Sequence, residues 1–263
     1  MKVYIMTDME GISGINSPDF CKVSERRYQE GRKFLTMDVN AAVEGAFEGG
    51  AKEVIVNDGH GSGPHILTEQ LDKRAKYVRP AGAKCWLPGL DESVDICFSI
   101  GTHAKAGTLN AFLDHTQSAT TIFRYKLGGI EMGELGQLAV IAGYYGVPVV
   151  MVTGDRAACI EAKQLLGKKV ITVEVKVGVG REVAICHHPD RTYEMIKEAA
   201  KRAIFQKERV KPYKINFPCE CEITFTRCDY ADKAARIPGS VRKDGRTVGI
   251  QIKDVSEILL LFI

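Results

Sequence analysis

Lys2-Val3-Tyr4-Ile5-Met6-Thr7-Asp8-Met9-Glu10-Gly11 opens the chain. Val3 to Met6 is a short apolar run rich in β-branched and aromatic residues, which reads as a buried strand. The run stops at two carboxylates, Asp8 and Glu10, followed by glycine. In open α/β sheets, ligands sit in the crevice beyond the carboxyl ends of the strands. Two acids one residue apart at such a place repel each other unless a cation or hydrogen-bond donors hold them. A divalent metal meets that need. The competing reading is local: Asp8 caps a turn and Glu10 is solvated. The rest of the chain decides between the two.

Outward from this strand, residues 24–50 place Leu35, Val39, Val43, Ala46 and Phe47 on one helical face, and Gly49-Gly50 ends the helix. Glu53 to Asn57 is a second buried strand, and it runs into Asn57-Asp58-Gly59-His60-Gly61. Strand, long helix, strand is a βαβ unit, which requires parallel pairing and a right-handed crossover. Both strands then finish on one sheet edge, so topology puts His60 near Asp8 and Glu10. Lys76 to Arg79 is a short candidate strand. Asp95 to Gly101 is a third strong one, and it ends in Gly101-Thr102-His103-Ala104. Asp114-His115 follows after a loop, then a strand from Thr120 to Tyr125 and a Gly128-Gly129 turn. Gly133-Glu134 opens an amphipathic helix through Ala142, and Val147 to Val152 is a further strand before a helix that reaches Leu166.

Beyond Lys168 the pattern predicts strands over Val170 to Val177, Cys219 to Arg227 and Thr247 to Ile252, with a helix from Asp190 to Gln206. The expected fold class is α/β: an N-terminal, mostly parallel sheet flanked by helices, and a second, smaller α/β lobe. The expected division is 1–167 for a metal-binding catalytic domain and 168–263 for a lobe closing the cleft.

With 263 residues the chain can bury a sizeable core, and 45% apolar with 26% charged residues is ordinary for a globular protein. A formal charge of +3 without a clustered basic tract argues against nucleic acid or a membrane surface as partner. No apolar run approaches the roughly 20 residues of a membrane span. The eight scattered cysteines lack a CxxC pair and read as reduced thiols, so the expected location is the cytoplasm. Cys219 and Cys221 could be a metal pair, but they alternate with Phe217, Ile223 and Phe225, as the inner face of a strand does. The apolar segment 258–263 is expected to be buried or to meet another subunit.

The candidate site residues gain weight as a set. A lone histidine beside a strand end is more often structural than functional. Here three successive strands finish in a possible ligand: Asp8 and Glu10, then His60, then His103, with His115 and Glu134 following. Carboxylates and imidazoles on one sheet edge suit zinc, cobalt, manganese or iron. Five ligands exceed what one catalytic zinc with an open position needs, so two metals are expected, with a carboxylate such as Asp8 able to bridge them. His65, His187 and His188 read as structural. Gly11-x-x-Gly14 and Gly178-x-Gly180 complete no dinucleotide fingerprint, and neither a Walker A sequence nor a GxSxG elbow occurs.

Asp8-Met9-Glu10-Gly11, Asn57-Asp58-Gly59-His60, Gly101-Thr102-His103-Ala104, His115, Gly133-Glu134-Leu135-Gly136 and Ala142-Gly143-Tyr144-Tyr145-Gly146-Val147-Pro148-Val149 together resemble the bacterial zinc D-aminopeptidase family of the dipeptide-transport operon. The resemblance covers most of the chain and is strongest over 1–156. It implies a two-domain subunit with a dinuclear Zn²⁺ site between the lobes. Asp8, Glu10, His60, His103 and Glu134 would be the metal ligands, His115 the catalytic residue, and the assembly a ring-stacked homo-oligomer, a decamer, with sites inside a channel. Co²⁺ or Mn²⁺ could replace zinc. Met6 departs from the family pattern, which usually has serine there, and the loop from His103 to His115 is about one residue longer.

The function expected is metal-dependent hydrolysis of short peptides from their amino end, with D- or L-aminoacyl preference open. Two rivals use the same ligand types. A two-metal phosphoesterase needs converging cations, for which Lys105 and Arg124 are the nearby candidates. A metal-stabilised binding protein needs a closed coordination shell, whereas this set has a histidine to spare.

Overall fold

In the computed structural model, residues 1–61, 63–80 and 86–262 are described. The strands are β1 (Lys2–Thr7), β2 (Glu53–Asp58), β3 (Lys76–Val78), β4 (Ile96–Thr102), β5 (Ile122–Leu127), β6 (Ile130–Glu131), β7 (Val149–Asp155), β8 (Ile171–Gly180), β9 (Val183–Cys186), β10 (Cys219–Phe225), β11 (Ser240–Arg242) and β12 (Thr247–Ile252). The helices are α1 (Tyr28–Glu48), α2 (Glu134–Tyr144), α3 (Arg156–Leu166), α4 (Pro189–Ala203) and α5 (Cys228–Ala234).

Seven strands form one sheet in the order β3-β2-β1-β4-β7-β8-β9. All its pairs are parallel except β8 with β9. The chain builds β1, β2 and β3 to one side and then returns to place β4 on the other side of β1. The switch in strand order therefore falls between β1 and β4, where two neighbouring crossovers leave in opposite directions and open a crevice. Successive residues of β1 feed two cores, as the two-residue period of a strand requires. Val3 and Ile5 pack with α1 and α4, whereas Tyr4 and Met6 pack with α2 and the second sheet.

That second sheet is antiparallel, in the order β11-β12-β10-β5-β6. Its inner face is apolar: Tyr125, Leu127, Cys221, Ile223, Val248 and Ile252 are all buried. Residue 167 does not separate the two sheets. β8 and β9 extend the parallel sheet, α4 lies against α1, and β5 and β6 from the earlier half pair with β10. The cause is strand pairing. β8 pairs in parallel with β7, while β5 pairs antiparallel with β10. The strand expected at 120–125 is thus placed two residues on and in the other sheet. The helix over Asp190 to Gln206 ends at Ala203 and tightens into a short 3-10 turn.

The closing apolar segment packs against the chain except at Leu260, which is exposed. Ile258 and Leu261 are fully covered, Tyr125 Oη donates to Ile258 O (3.2 Å), and the Phe262 ring stacks on Tyr125 at 5.7 Å. Ile263 lies outside the described residues. Cys221 is buried in the strand face as its alternation indicated, and the seven described cysteines are all unpaired.

Candidate metal centre

The crevice between β1 and β4 is tight. Asp8 N–H donates to Ile100 O (2.9 Å) and Gly11 N–H to Gly101 O (2.8 Å), which extends the β1–β4 contact past the last strand residue. Only glycine fits twice here. A Cβ on Gly11 would lie 2.1 Å from Thr102 O, and one on Gly101, whose φ is +79°, would lie 2.1 Å from Asp8 O. These glycines bring the end of β1, with Asp8 and Glu10, against the end of β4, with His103.

Six sequence-predicted residues meet at this edge. His60, just past β2, puts Nδ1 2.8 Å from Asp8 Oδ1 and 2.9 Å from Glu10 Oε2. His103 Nε2 is 3.2 Å from Asp8 Oδ2 and 3.3 Å from Glu134 Oε1, where Glu134 is the first residue of α2. His115 Nε2 stands 3.7 Å from the same Glu134 oxygen, and the His103 and His115 rings stack at 3.9 Å. Asp8 thus touches two groups, one through each oxygen.

The hydrogen bonds behind the site set the tautomers. His103 Nδ1–H donates to Ala104 O (3.0 Å) and His115 Nδ1–H to Leu113 O (2.8 Å). Both Nε2 atoms therefore turn into the site, as histidines that bind metals do. Gln117 N–H donates to Glu134 Oε1 (2.7 Å). The loop holding His115 is shaped by three non-glycine residues with positive φ, Asn110, Leu113 and Gln117. Such conformations persist only where surroundings enforce them. Here Asp155 Oδ2 accepts from Phe112 N–H, Arg181 O from Leu113 N–H and Ala104 O from His115 N–H.

The donors fit a cation. Glu10 Oε2 and His103 Nε2 are buried and have no hydrogen-bond partner, although other polar atoms lie close. A single proton on His60 Nδ1 serves Asp8, which leaves Glu10 Oε2 without one aimed at it. Buried polar atoms that converge without sharing protons are costly unless a cation joins them. Buried groups here are also strongly shifted. Burial lowers the His60 and His103 pKa values, but the Glu10, Glu134 and Asp8 carboxylates outweigh it and raise both well above the ordinary 6.5. Burial raises Asp8, and the adjacent His103 and His60 imidazoles more than reverse this, holding it well below 3.8. Glu134 is likewise lowered, chiefly by His103 against burial. Asp8 and Glu134 are thereby held in the ionised form that a metal ligand needs.

Two supporting residues escaped the sequence reading. Lys176 is wholly buried in β8; its Nζ donates to Glu10 O (2.8 Å) and Ile15 O (3.1 Å). Burial drops its pKa to about 8. A register shift where β8 passes the end of β7 turns it inward, and simple alternation cannot foresee such a bulge. Asp38 on α1 accepts from Ser13 N–H (2.8 Å), and burial raises its pKa to about 6. Together they grip the loop that carries Asp8 and Glu10. His65, read as structural, is buried edge-on against His60 with Nδ1 2.7 Å from Tyr28 Oη. His187 and His188 lie away, at the start of α4. Lys105 and Arg124, the expected phosphate partners, both face Glu131 instead.

Asp8, His60, His115 and Glu134 form the floor of a cavity of about 520 Å³, walled on its apolar side by Trp86, Leu259 and Phe262. That volume suits a small ligand.

The profile of the D-aminopeptidase family matches residues 1–262. A D-aminopeptidase of Bacillus subtilis (strain 168) is 34% identical over 265 residues, covering 98% of this chain and 93% of that protein. A solved structure, the Zn-dependent D-aminopeptidase DppA from Bacillus subtilis, described as a self-compartmentalizing protease, superposes with a TM-score of 0.95 at 32% identity, over 99% of this chain and 95% of that one. Full-length agreement in sequence and fold, around a carboxylate–imidazole cluster at the switch between β1 and β4, makes this chain a member of the D-aminopeptidase family of peptidases.

Proposed function

We propose that the chain is a D-aminopeptidase that uses two zinc ions to release the N-terminal residue of short peptides. The observation carrying this is Asp8, whose Oδ1 meets the Glu10–His60 group and whose Oδ2 meets the His103–Glu134 group. One carboxylate shared between two donor sets suits a pair of divalent ions, and the zinc dependence of the solved relative supports zinc over cobalt or manganese. The ligands in this reading are Asp8, Glu10, His60, His103 and Glu134. When bound, such ions polarise the scissile carbonyl and make a bound water acidic enough to attack near neutral pH.

The chain's own residues supply the remaining chemistry. His115 stays outside the ligand set and presents Nε2 to the floor of the cavity, anchored through Nδ1 on Leu113 O. As imidazolium it donates to a developing oxyanion; as neutral imidazole it takes a proton from the attacking water. Gln117 N–H orients Glu134, and Trp86, Leu259 and Phe262 keep bulk water from the apolar wall. The resemblance and the self-compartmentalizing relative support a homo-oligomer of stacked rings, a decamer. Unpaired cysteines support a cytoplasmic location.

The test is chelation followed by metal addition, with D- and L-aminoacyl dipeptides and nitrophenyl phosphate offered side by side. The expected result is metal-restored release of the N-terminal residue from the D-series first. Preference for the L-series overturns the stereochemistry, and phosphate-ester cleavage without peptide cleavage overturns the activity. Light scattering should give the mass of ten chains; the mass of one contradicts the assembly.

A further inference from the structure

The edge that holds the candidate ligands also holds a cation. β3 lies beside β2 and runs parallel to it, so its carboxyl end opens on the same edge as those of β1, β2 and β4. Arg79 is the first residue past β3, just as Asp8 is the first past β1. Its side chain lines the cavity whose floor is Asp8, His60, His115 and Glu134, and it is the only lysine or arginine among the described residues doing so.

Arg79 is held in place but not neutralised. Asp58 Oδ2 accepts from His65 N–H (2.7 Å) and Ile66 N–H (3.1 Å), which folds the loop after β2 back on itself. Gly63 O in that loop then accepts from Arg79 Nη1 (2.8 Å). Among the described residues Arg79 makes no ion pair, whereas Lys105, Arg124, Arg156, Arg181 and Arg227 each have a carboxylate within reach. One nitrogen bound to a carbonyl leaves Nε and Nη2 of the guanidinium fork available. A planar fork with free donors matches a carboxylate and takes it through two parallel hydrogen bonds.

The cavity thus carries the Asp8 and Glu134 carboxylates on its floor and, on the wall that also holds Asp58, a guanidinium that makes no ion pair among the described residues. A short peptide has a reacting amino end and a terminal carboxylate. We infer that Arg79 anchors the C-terminal carboxylate of the substrate, so that the cavity selects very short peptides with a free C-terminus. This rests on the aminopeptidase reading for the direction in which the peptide lies, and it adds to that reading the requirement for a free C-terminal carboxylate. The anchor acts on binding and takes no part in bond cleavage, so Arg79 is a specificity-determining residue.

The experiment compares D-alanylglycine with D-alanylglycinamide, which differ in the carboxylate alone. One arm measures kcat/KM with zinc-loaded protein. The other measures equilibrium binding by titration calorimetry to protein kept metal-free with a chelator, where peptide binds without being cut. The natural chain should favour the acid over the amide by about 10- to 100-fold in both arms, the scale of a charge-assisted contact. Arg79→Ala should bring that ratio close to one, and Arg79→Lys should keep part of it. An acid-to-amide ratio near one in the natural chain overturns the inference. So does an equal loss for both peptides in Arg79→Ala, which marks a structural role. If neither peptide is cut, the aminopeptidase reading fails, while the binding arm still decides whether Arg79 recognises the carboxylate.

Discussion

The two sheets divide labour by polarity. Among the described residues, the buried polar and charged side chains include Thr7, Glu10, Asn57, Asp58, Ser99, Thr102, His103, Thr153, Asp155 and Lys176, all on or just beyond strands of the parallel sheet. The antiparallel sheet contributes one, Thr247. A parallel sheet with crossovers brings many strand ends to one edge, where polar groups can face a shared crevice and each other. An antiparallel sheet scatters its ends, and its inner face is left to apolar packing. One region of the molecule therefore carries chemistry at the expense of stability, and the other carries stability without chemistry.

Substitutions can break that division from either side. The largest effect is expected at the strand ends: His60→Ala and His103→Ala should each lower bound metal and abolish metal-dependent hydrolysis while leaving the circular dichroism spectrum intact. Unchanged metal content by elemental analysis in either variant removes that residue from the ligand set.

In the antiparallel sheet the expectation is reversed. Ile223 is fully buried between β12 and β5, so Ile223→Ala should cost about 2–5 kcal/mol in urea unfolding and leave kcat near that of the natural chain. A large fall in kcat with little loss of stability would show that this sheet shapes the chemistry after all.

His115→Ala sharpens the division within the site itself. The variant should keep its metal and lose on the order of 10² in kcat, about 2.7 kcal/mol of barrier. Loss of metal makes His115 a ligand; an unchanged kcat makes it structural.

The smallest expected effect concerns the charged support behind the parallel sheet. Asp38 has a folded pKa of about 6 against an ordinary 3.8. A raised folded pKa stabilises below the unfolded value, and that contribution is lost as pH rises from about 3.8 through 6. Asparagine does not ionise. Between pH 5 and pH 7, Asp38→Asn should therefore gain about 1.3 kcal/mol relative to the natural chain. A difference in unfolding free energy that is flat over this interval contradicts the buried, hard-to-ionise Asp38.

The same polarity contrast explains what was legible in the sequence. β1, β2 and β4 are apolar runs that stop at Asp8, Asp58 and Thr102, so topology alone places their edge and four of its six residues. Glu134 and His115 lie off the strands, on α2 and on a loop of positive-φ residues, and the family resemblance gave them their roles. The antiparallel sheet was hidden because its strands come from distant segments: three helices and four strands lie between β5 and β10. β6, β9 and β11 are too short to show a period. Lys176 was hidden by a bulge, and Arg79 by standing alone at the end of a three-residue edge strand.

The central claim is that Asp8 joins two cations at the β1–β4 switch. Anomalous diffraction at the zinc edge, on crystals grown with zinc, tests it most directly. The account predicts two peaks per chain, one beside Asp8, Glu10 and His60 and one beside Asp8, His103 and Glu134, with both weakened in Asp8→Ala. A single peak, or two peaks that persist undiminished in Asp8→Ala, would contradict it.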